Sequence, residues 1–520
     1  MNKKSLTINV SVAIVLLVVF GFVMQVSAAD FKPSWDSLSK QPIPEWLKDA
    51  KFGVYTHWGI YSVPAHGGPD YVKNLYGGPG VNDKGVYEYH VEKYGEIKDF
   101  GYKDFIPMFK APKFNADEWV GLMHEAGAKF GGICLVHHDG FCLWDSKYTK
   151  YNSKDMGPKR DIYGEIAKAV RKYDDMKLLA TFHHGRTFGY ATGFLKKDKI
   201  TEDMKKNWDV FDPKYADFYR SELTGEAPEN FGNEWVGKIT EVVDNYSPDA
   251  IWFDGLTGAM RHNHPSEDQV LDVISNYFNE ADKKNQNVTV LNKHAGDFNF
   301  PDTFGMLCYE NGREMAEDVG PWFLIDRAIG YPWSYVNDKT YRDGPDYHTR
   351  SIVDLVSRGG VFLLSLTPKG DGSISKGEQE IMRGIGRWMK VNGEAIYSTR
   401  PWKVYAEGPT KLIAMSKTSK GEFKQGWDYR QEFVPKDIRF TQSKDGEKLY
   451  VTTLAWPEDG YILVTNLKKK SDHYPDKIKS VTMLATGEKV KFKRTKQGLK
   501  IFFPKEKPCE WAYSFKIEKK

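Results

Sequence analysis

The sequence predicts an α/β chain: a closed (β/α)8 TIM-like barrel followed by a C-terminal antiparallel β-sandwich. Three observations predict it. Eight hydrophobic runs each end in a polar, chemically capable residue, helical patterns lie between them, and near residue 401 the periodicity changes to alternation. Parallel strands buried on both faces read as continuous apolar runs. In a closed barrel every strand points its C-terminal end at one shared face, where active sites are built.

The runs span residues 51–57, 128–138, 176–184, 249–254, 287–294, 303–310, 331–335 and 360–365. Their tips supply His57, the pairs His137-His138 and His183-His184, Asp254, His294, Glu310, a Trp333/Tyr335 pair and Ser365. Between runs, Asn115 with Glu118 forms a capping box ahead of Trp119, Leu122, Met123 and Ala126 on one helical face. Ser375 with Glu378 does the same ahead of Ile381, Ile385, Trp388 and Met389. Residues 67–85, rich in Gly, Pro and Asn, read as a long loop that shapes the pocket from the catalytic face. From Lys403 onward, short alternating strands separated by turns such as Asp445-Gly446 and Thr486-Gly487 read as the sandwich. The expected division is 1–29 targeting segment, 30–401 barrel and 402–520 β-sandwich.

Composition narrows the partners. A net charge of +4, from 74 basic and 70 acidic residues, lacks the clustered basic excess of a nucleic-acid binder. Aromatics reach 14%, which suits stacking on sugar faces and equally suits a large core. At the N-terminus, Lys3-Lys4 precede an apolar stretch and the small-residue pattern Val26-Ser27-Ala28. That stretch, about 14 residues, is short of the roughly 20 needed to span a bilayer. The expectation is a cleaved signal peptide, no stable membrane span and a periplasmic or extracellular protein. Four cysteines are too few for a disulfide framework, and Cys134 and Cys308 read as small core residues.

Asp254 ends the run Ile251-Trp252-Phe253-Asp254-Gly255, placed to reach a ligand from the barrel mouth. Its plainer reading is a turn or helix-capping Asp. Glu310 is the second carboxylate, with a surface pairing to Arg313 as its plainer reading. Two carboxylates across one pocket are the equipment of glycosidic cleavage. The histidine pairs invite a metal reading, but adjacent strand residues point to opposite faces, so neither pair chelates one ion from an extended strand. Neutral imidazoles that hydrogen-bond sugar hydroxyls fit better. No metal and no cofactor are expected.

These residues resemble the α-L-fucosidases of glycoside hydrolase family 29, from about Trp46 to Trp402. The resemblance runs through Lys51-Phe52-Gly53 with Thr56-His57-Trp58-Gly59, then His137-His138-Asp139-Gly140-Phe141 with Leu143-Trp144-Asp145-Ser146. It continues in Ile251-Trp252-Phe253-Asp254-Gly255, Thr367-Pro368-Lys369-Gly370-Asp371-Gly372, and Asn392-Gly393-Glu394-Ala395-Ile396-Tyr397. It implies a retaining exo-hydrolase of terminal α-L-fucose acting on a fucosylated oligosaccharide or polysaccharide. By position Asp254 matches the nucleophile, and His57, His137 and His138 match sugar-binding histidines. Trp58 and Trp144 fall in the same motifs, and His184, Trp252, His294 and Trp333 complete the expected binding set. Glu88, in Tyr87-Glu88-Tyr89, joins it on a loose match to Glu-Trp-Tyr. Glu310 is the expected acid/base, with Glu314 and His294 as rivals. Trp322-Phe323 departs from the family's Trp-Glu or Trp-Gln, which reads as a lost polar partner for the sugar. Two alternatives stay open: an exo- or endo-acting hydrolase of sulfated fucose polymers, and a fucose-binding protein without turnover. The sequence leaves the oligomeric state open.

Overall fold

The computed structural model describes residues 30–520 other than 82–83, 222, 224–226, 255, 257–264, 294–299, 312–319, 342, 418–422 and 428, and no side chain across 413–428. Eight parallel strands close a barrel: β1 (Phe52–Thr56), β2 (Phe130–Val136), β3 (Lys177–Phe182), β4 (Ala250–Phe253), β5 (Thr289–Lys293), β6 (Met306–Glu310), β7 (Phe323–Ala328) and β8 (Gly360–Leu366). β8 pairs back onto β1 in register Tyr55↔Ser365. Alternate residues along each strand face the axis, so Tyr55, Phe130, Leu179, Trp252, Leu291, Cys308, Leu324 and Leu363 form one interior cluster. Phe130 fills its layer because its neighbour in the ladder is Gly53, where a Cβ would stand 2.3 Å from the ring. The outward residues pack under the helices in a second, larger cluster.

Seven of the eight predicted runs contain a strand. The run at 331–335 is instead loop, and the seventh strand is Phe323–Ala328. Charge hid it: Asp326 and Arg327 interrupt its apolar pattern, and both are buried. Asp326 shares the inward phase of Leu324, while Arg327 turns outward and donates to the Tyr347 hydroxyl at 2.6 Å. The stretch 67–85 is not all loop either, since Tyr71–Tyr76 is helical. Asn115 caps Ala116–Glu125 and Ser375 caps Lys376–Asn392, but Glu118 accepts from Asn115 Nδ2 and Glu378 from Thr367, so the caps form without the full boxes. Among the described residues no helix separates β5 from β6, or β6 from β7.

Beyond the barrel lies a five-stranded antiparallel sheet in the order β15-β18-β13-β12-β9, from β9 (Thr399–Glu407) through β12 (Ile438–Ser443), β13 (Lys448–Thr453), β15 (Ile478–Met483) and β18 (Tyr513–Lys519). A three-stranded sheet of β14 (Tyr461–Val464), β17 (Leu499–Phe502) and β16 (Phe492–Arg494) faces it. Phe440, Val451, Phe515 and Ile517 from the first meet Ile462, Val464, Leu499 and Ile501 from the second in one core. Two sheets sharing a core of alternating residues make the sandwich.

The sandwich docks on the barrel through the helices Pro345–Ser357 and Lys376–Asn392. At the centre of that contact Asp354 is fully buried. It accepts from Arg358 at 3.0 Å, from the Tyr429 hydroxyl at 3.0 Å, and from Arg439 of β12. Burial works against its charge, yet the two guanidinium groups hold the carboxyl below its ordinary pKa. A depressed carboxyl contributes stability above its unfolded pKa, and that contribution is lost as pH falls through the folded value. Asp354→Ala leaves Arg439 buried without its partner and is expected to cost at least about 3 kcal/mol. Calorimetry checks it: the melting temperature should fall by several degrees, and a variant melting with the wild type contradicts the account.

Candidate active site

The strand phase that fills the barrel also builds its upper rim. Continuing inward from Tyr55 gives His57; from Leu179, His183; from Trp252, Asp254; from Leu291, Lys293; from Cys308, Glu310; from Leu324, Asp326; from Leu363, Ser365. These seven residues belong to seven different strand ends of one catalytic face.

Lys293 is the hub. Its Nζ lies 2.8 Å from Asp254 Oδ1 and 3.2 Å from Glu310 Oε2. Burial disfavours the ammonium, but Asp254, Glu310 and Asp326 hold its pKa far above the ordinary lysine value. Burial likewise opposes charge on Asp254, and Lys293, followed by His183 and His138, pulls that carboxyl far below the usual range. Asp254 is therefore a carboxylate at any working pH. Glu310 is more open, with 35% of its side chain exposed, and Asn311 Nδ2 donates to its Oε1 at 3.4 Å. Asp326 is paired in register with Glu310 across β6 and β7 and is 1% exposed. Burial pushes its carboxyl up to about 7, Lys293 opposes that shift, and Glu310 and Asp254 add to it. One cation thus sits among three acids.

The imidazoles form the opposite wall. His57 and His183 rings meet at 5.0 Å, and His137 stacks on His183 at 5.2 Å. His138 lies 4.3 Å from His137, and its Nδ1–H donates to the His183 carbonyl. Burial keeps all four neutral, with His138 lowered to about 4, His183 to about 3, and His57 and His137 held well below the ordinary imidazole value. His183 Nε2 stands 3.3 Å from Asp254 Oδ2, in range for electrostatics although off the line of a hydrogen bond. His57 Nδ1 shares a 2.7 Å hydrogen bond with Ser365 Oγ. Both members of the His137-His138 pair reach the mouth because the β2 register shifts between Cys134 and Val136 and the strand ends there. Among the described residues no group of three or more His, Cys, Asp or Glu side chains is arranged to hold a metal ion.

The structure gathers Asp254, Glu310, His57, His137, His138, Trp252 and Trp333 around this mouth. Trp252 lies beneath it, 5.5 Å from Tyr55 and 5.9 Å from His183, and Trp333 packs 5.0 Å from His57 from the loop after β7. Other expected residues are elsewhere. His184 has the outward phase of β3 and stacks on Trp235 at 6.0 Å; its partner His183 takes the inward place. Trp58 turns into the helical shell against Phe109 and Trp119, donating to the Lys369 carbonyl at 2.7 Å. Trp144 donates to Glu241 at 2.8 Å behind the barrel wall. Glu88 is exposed on its helix and accepts from Gly80 N at 3.0 Å. His294 and the rival acid Glu314 lie outside the described residues. Trp322-Phe323 begins β7, at the opposite end of the barrel, where the Trp322 ring is flanked by Lys51 and Arg400 at 4.9 and 5.3 Å. The lost polar partner read at Phe323 therefore concerns no sugar.

His183, Lys293 and Asp326 are what sequence reasoning missed. For the first two the signal was present: counting in twos from Leu179 and Leu291 selects them over their neighbours His184 and His294. Asp326 had no such signal until its strand was found.

Residues 19–394 match the model of the Alpha-L-fucosidase family, and residues 430–518 match that of the Alpha-L-fucosidase C-terminal domain. The tissue alpha-L-fucosidase of Rattus norvegicus is 28% identical over 511 residues, covering 94% of this chain and 93% of that one. An alpha-L-fucosidase of Branchiostoma floridae is 27% identical over 507 residues, with 94% and 96% covered. The solved structure of Thermotoga maritima alpha-fucosidase in complex with fucose superposes with a TM-score of 0.67 at 28% identity, covering 94% of this chain and all of that one.

Removing the hub has a defined sign. Without the ammonium, only His183 and His138 oppose the burial of Asp254 and its pKa rises, so the ionised form is lost as pH falls through the new value. Lys293→Met is expected to lower kcat/KM on an aryl α-L-fucoside by about 10²- to 10³-fold. Its acid limb should also move to higher pH. A variant profile that overlays the wild type contradicts the assignment.

Proposed function

The chain belongs to the alpha-L-fucosidase family of glycoside hydrolases, and on that premise we propose that it removes terminal α-L-fucose by double displacement with retention at the anomeric carbon. Asp254 is the nucleophile and Glu310 the acid/base. The observation that carries this reading is the shared ammonium. Two carboxylate oxygens held at 2.8 and 3.2 Å from one nitrogen stand no more than 6.0 Å apart. Retaining enzymes need roughly 5–5.5 Å between the carboxyls, whereas inverting enzymes need roughly 6.5–9.5 Å to admit a water.

In the first step an Asp254 oxygen attacks C1, the bond from C1 to the leaving oxygen breaks, and the Glu310 proton passes to that oxygen. In the second, Glu310 takes a proton from water, the water oxygen attacks C1, and the ester to Asp254 breaks. The negative charge therefore moves from Asp254 to Glu310 and back. Lys293 touches both, so the same ammonium pairs with whichever carboxylate is charged, and no charge is left uncompensated in a buried site. Neutral His57 and His138 each keep Nε2 for a sugar hydroxyl, their Nδ1 atoms being engaged by Ser365 Oγ and the His183 carbonyl. The Trp252 and Trp333 rings supply an apolar wall for the fucose methyl group, worth about 1 kcal/mol.

The first 29 residues support export with cleavage after Ala28 or Ala29, which places the substrate among glycans outside the cytoplasm. Mass analysis of the N-terminus of the secreted protein tests that point: an intact Met1 removes it.

Asp254→Ala is expected to lose at least about a thousandfold in kcat on an aryl α-L-fucoside. Glu310→Ala should keep activity best on substrates with good leaving groups and be rescued by azide. Proton NMR of the first product should show the α anomer. Release of the β anomer, or wild-type turnover by Asp254→Ala, contradicts the mechanism.

A further inference from the structure

The reaction above gives the His183 ring no step of its own, yet both its nitrogens face particular atoms. Nε2 stands 3.3 Å from Asp254 Oδ2, and Nδ1 stands 3.1 Å from Cys134 Sγ. Cys134 and His183 are each 1% exposed. Counting in twos from Phe130 gives Cys134 the inward phase of β2, in register with Thr181 of β3, which lies two residues before His183. A buried cysteine in a barrel strand is ordinarily packing, as at Cys308, whose thiol donates to the Met306 carbonyl of its own strand at 3.3 Å. Cys134 differs because the ring it meets turns its other nitrogen to the nucleophile.

A neutral imidazole carries a single N–H, and burial keeps His183 neutral, so one nitrogen has the proton and the other does not. With the proton on Nδ1, the ring would donate to sulfur and turn the bare lone pair of Nε2 toward an ionised carboxylate. Facing lone pairs repel most where water is excluded. With the proton on Nε2, the N–H dipole faces the Asp254 charge, and Nδ1 needs a donor. The thiol is placed to supply it. Burial, with Asp139 and Asp254 nearby, raises the Cys134 pKa well above the ordinary thiol value, so the proton stays on sulfur. Its other acceptors are already engaged. The Val136 carbonyl, 3.6 Å from Sγ, accepts from His183 N at 2.9 Å, and the Thr181 hydroxyl is turned to the Ile133 carbonyl at 3.2 Å. We propose that Cys134 is a positioning residue, its thiol donating to His183 Nδ1 so that the ring presents Nε2–H to the nucleophile.

This inference rests on the assignment of Asp254 as nucleophile in the α-L-fucosidase reading. Lys293 holds Oδ1 and His183 faces Oδ2, so the plane of the carboxylate is set from both sides before attack. As the ester forms, the charge passes to Glu310 and the ammonium pairs with it there. The imidazole stays neutral throughout and keeps its N–H toward the same carboxyl. Cys134 acts only through that ring.

Neutron diffraction from crystals of the wild-type enzyme locates the protons directly. The expected map shows one on His183 Nε2, none on Nδ1, and the Cys134 proton directed at Nδ1. A proton on Nδ1 overturns the proposal, as does a thiol proton directed at the Val136 carbonyl. Kinetics on an aryl α-L-fucoside then compare Cys134→Ala, which has no donor, with Cys134→Ser, which keeps one. Cys134→Ala should lower kcat by about tenfold while KM changes by less than about twofold. Cys134→Ser should turn over at least about threefold faster than Cys134→Ala. Wild-type kcat in Cys134→Ala, a loss carried by KM instead of kcat, or a serine variant no faster than the alanine one overturns the role. If the wild type cleaves no α-L-fucoside, the function reading has failed, and the neutron map alone decides the hydrogen-bond chain.

Discussion

A single ammonium among three carboxyls is the constraint on which this active site depends. Lys293 has little exposure, and each acid it faces comes from a different strand. Buried charges are tolerated when paired and are costly when a partner is removed. That condition fixes where Asp254 and Glu310 stand relative to one another more tightly than backbone geometry alone would. It also fixes the protonation of Asp254. Asp254 lies deep and faces both Lys293 and Nε2 of His183, so it stays ionised, while Glu310 reaches solvent from the rim. In the proposed mechanism the first attacks and the second exchanges protons with what enters.

The barrel supplies this arrangement through strand phase. Interior layers of Leu, Trp, Tyr and Cys side chains set which residues face the axis, and the next inward position on each strand becomes a functional one. Neutral imidazoles can crowd together on one side because burial removes their charge, so the four rings do not repel as imidazoliums would. The sandwich takes no part in that geometry. Its contact with the barrel runs through Asp354 and the helices after β7 and β8, which buttress the strands from outside.

Much of this was legible in the sequence, and the exceptions share causes. Apolar runs announced seven barrel strands because both faces of each are buried. The seventh strand carries Asp326 and Arg327, and a pattern search for apolar continuity passes over it in favour of the Trp-rich loop at 331–335. Asp254 and Glu310 were visible as strand-end acids, and the histidines as strand-end polar groups. Which of two adjacent residues faces inward was readable for His183 against His184, since period two follows from Leu179. It was not readable for His137 and His138, where a register shift breaks the period. Trp58 and Trp144 sit in motifs that resemble the family's, yet their rings serve the packing of the loops. In these two motifs the tryptophans build local structure rather than the sugar wall.

The central claim is that Asp254 forms the bond to the sugar while Glu310 handles the proton. Treating the enzyme with 2-deoxy-2-fluoro-α-L-fucosyl fluoride slows release of any glycosyl-enzyme, and peptide mass spectrometry then locates the label. The account predicts one fluorofucosyl group, esterified to Asp254. A label on Glu310, or inactivation with the label on any other residue, would contradict it.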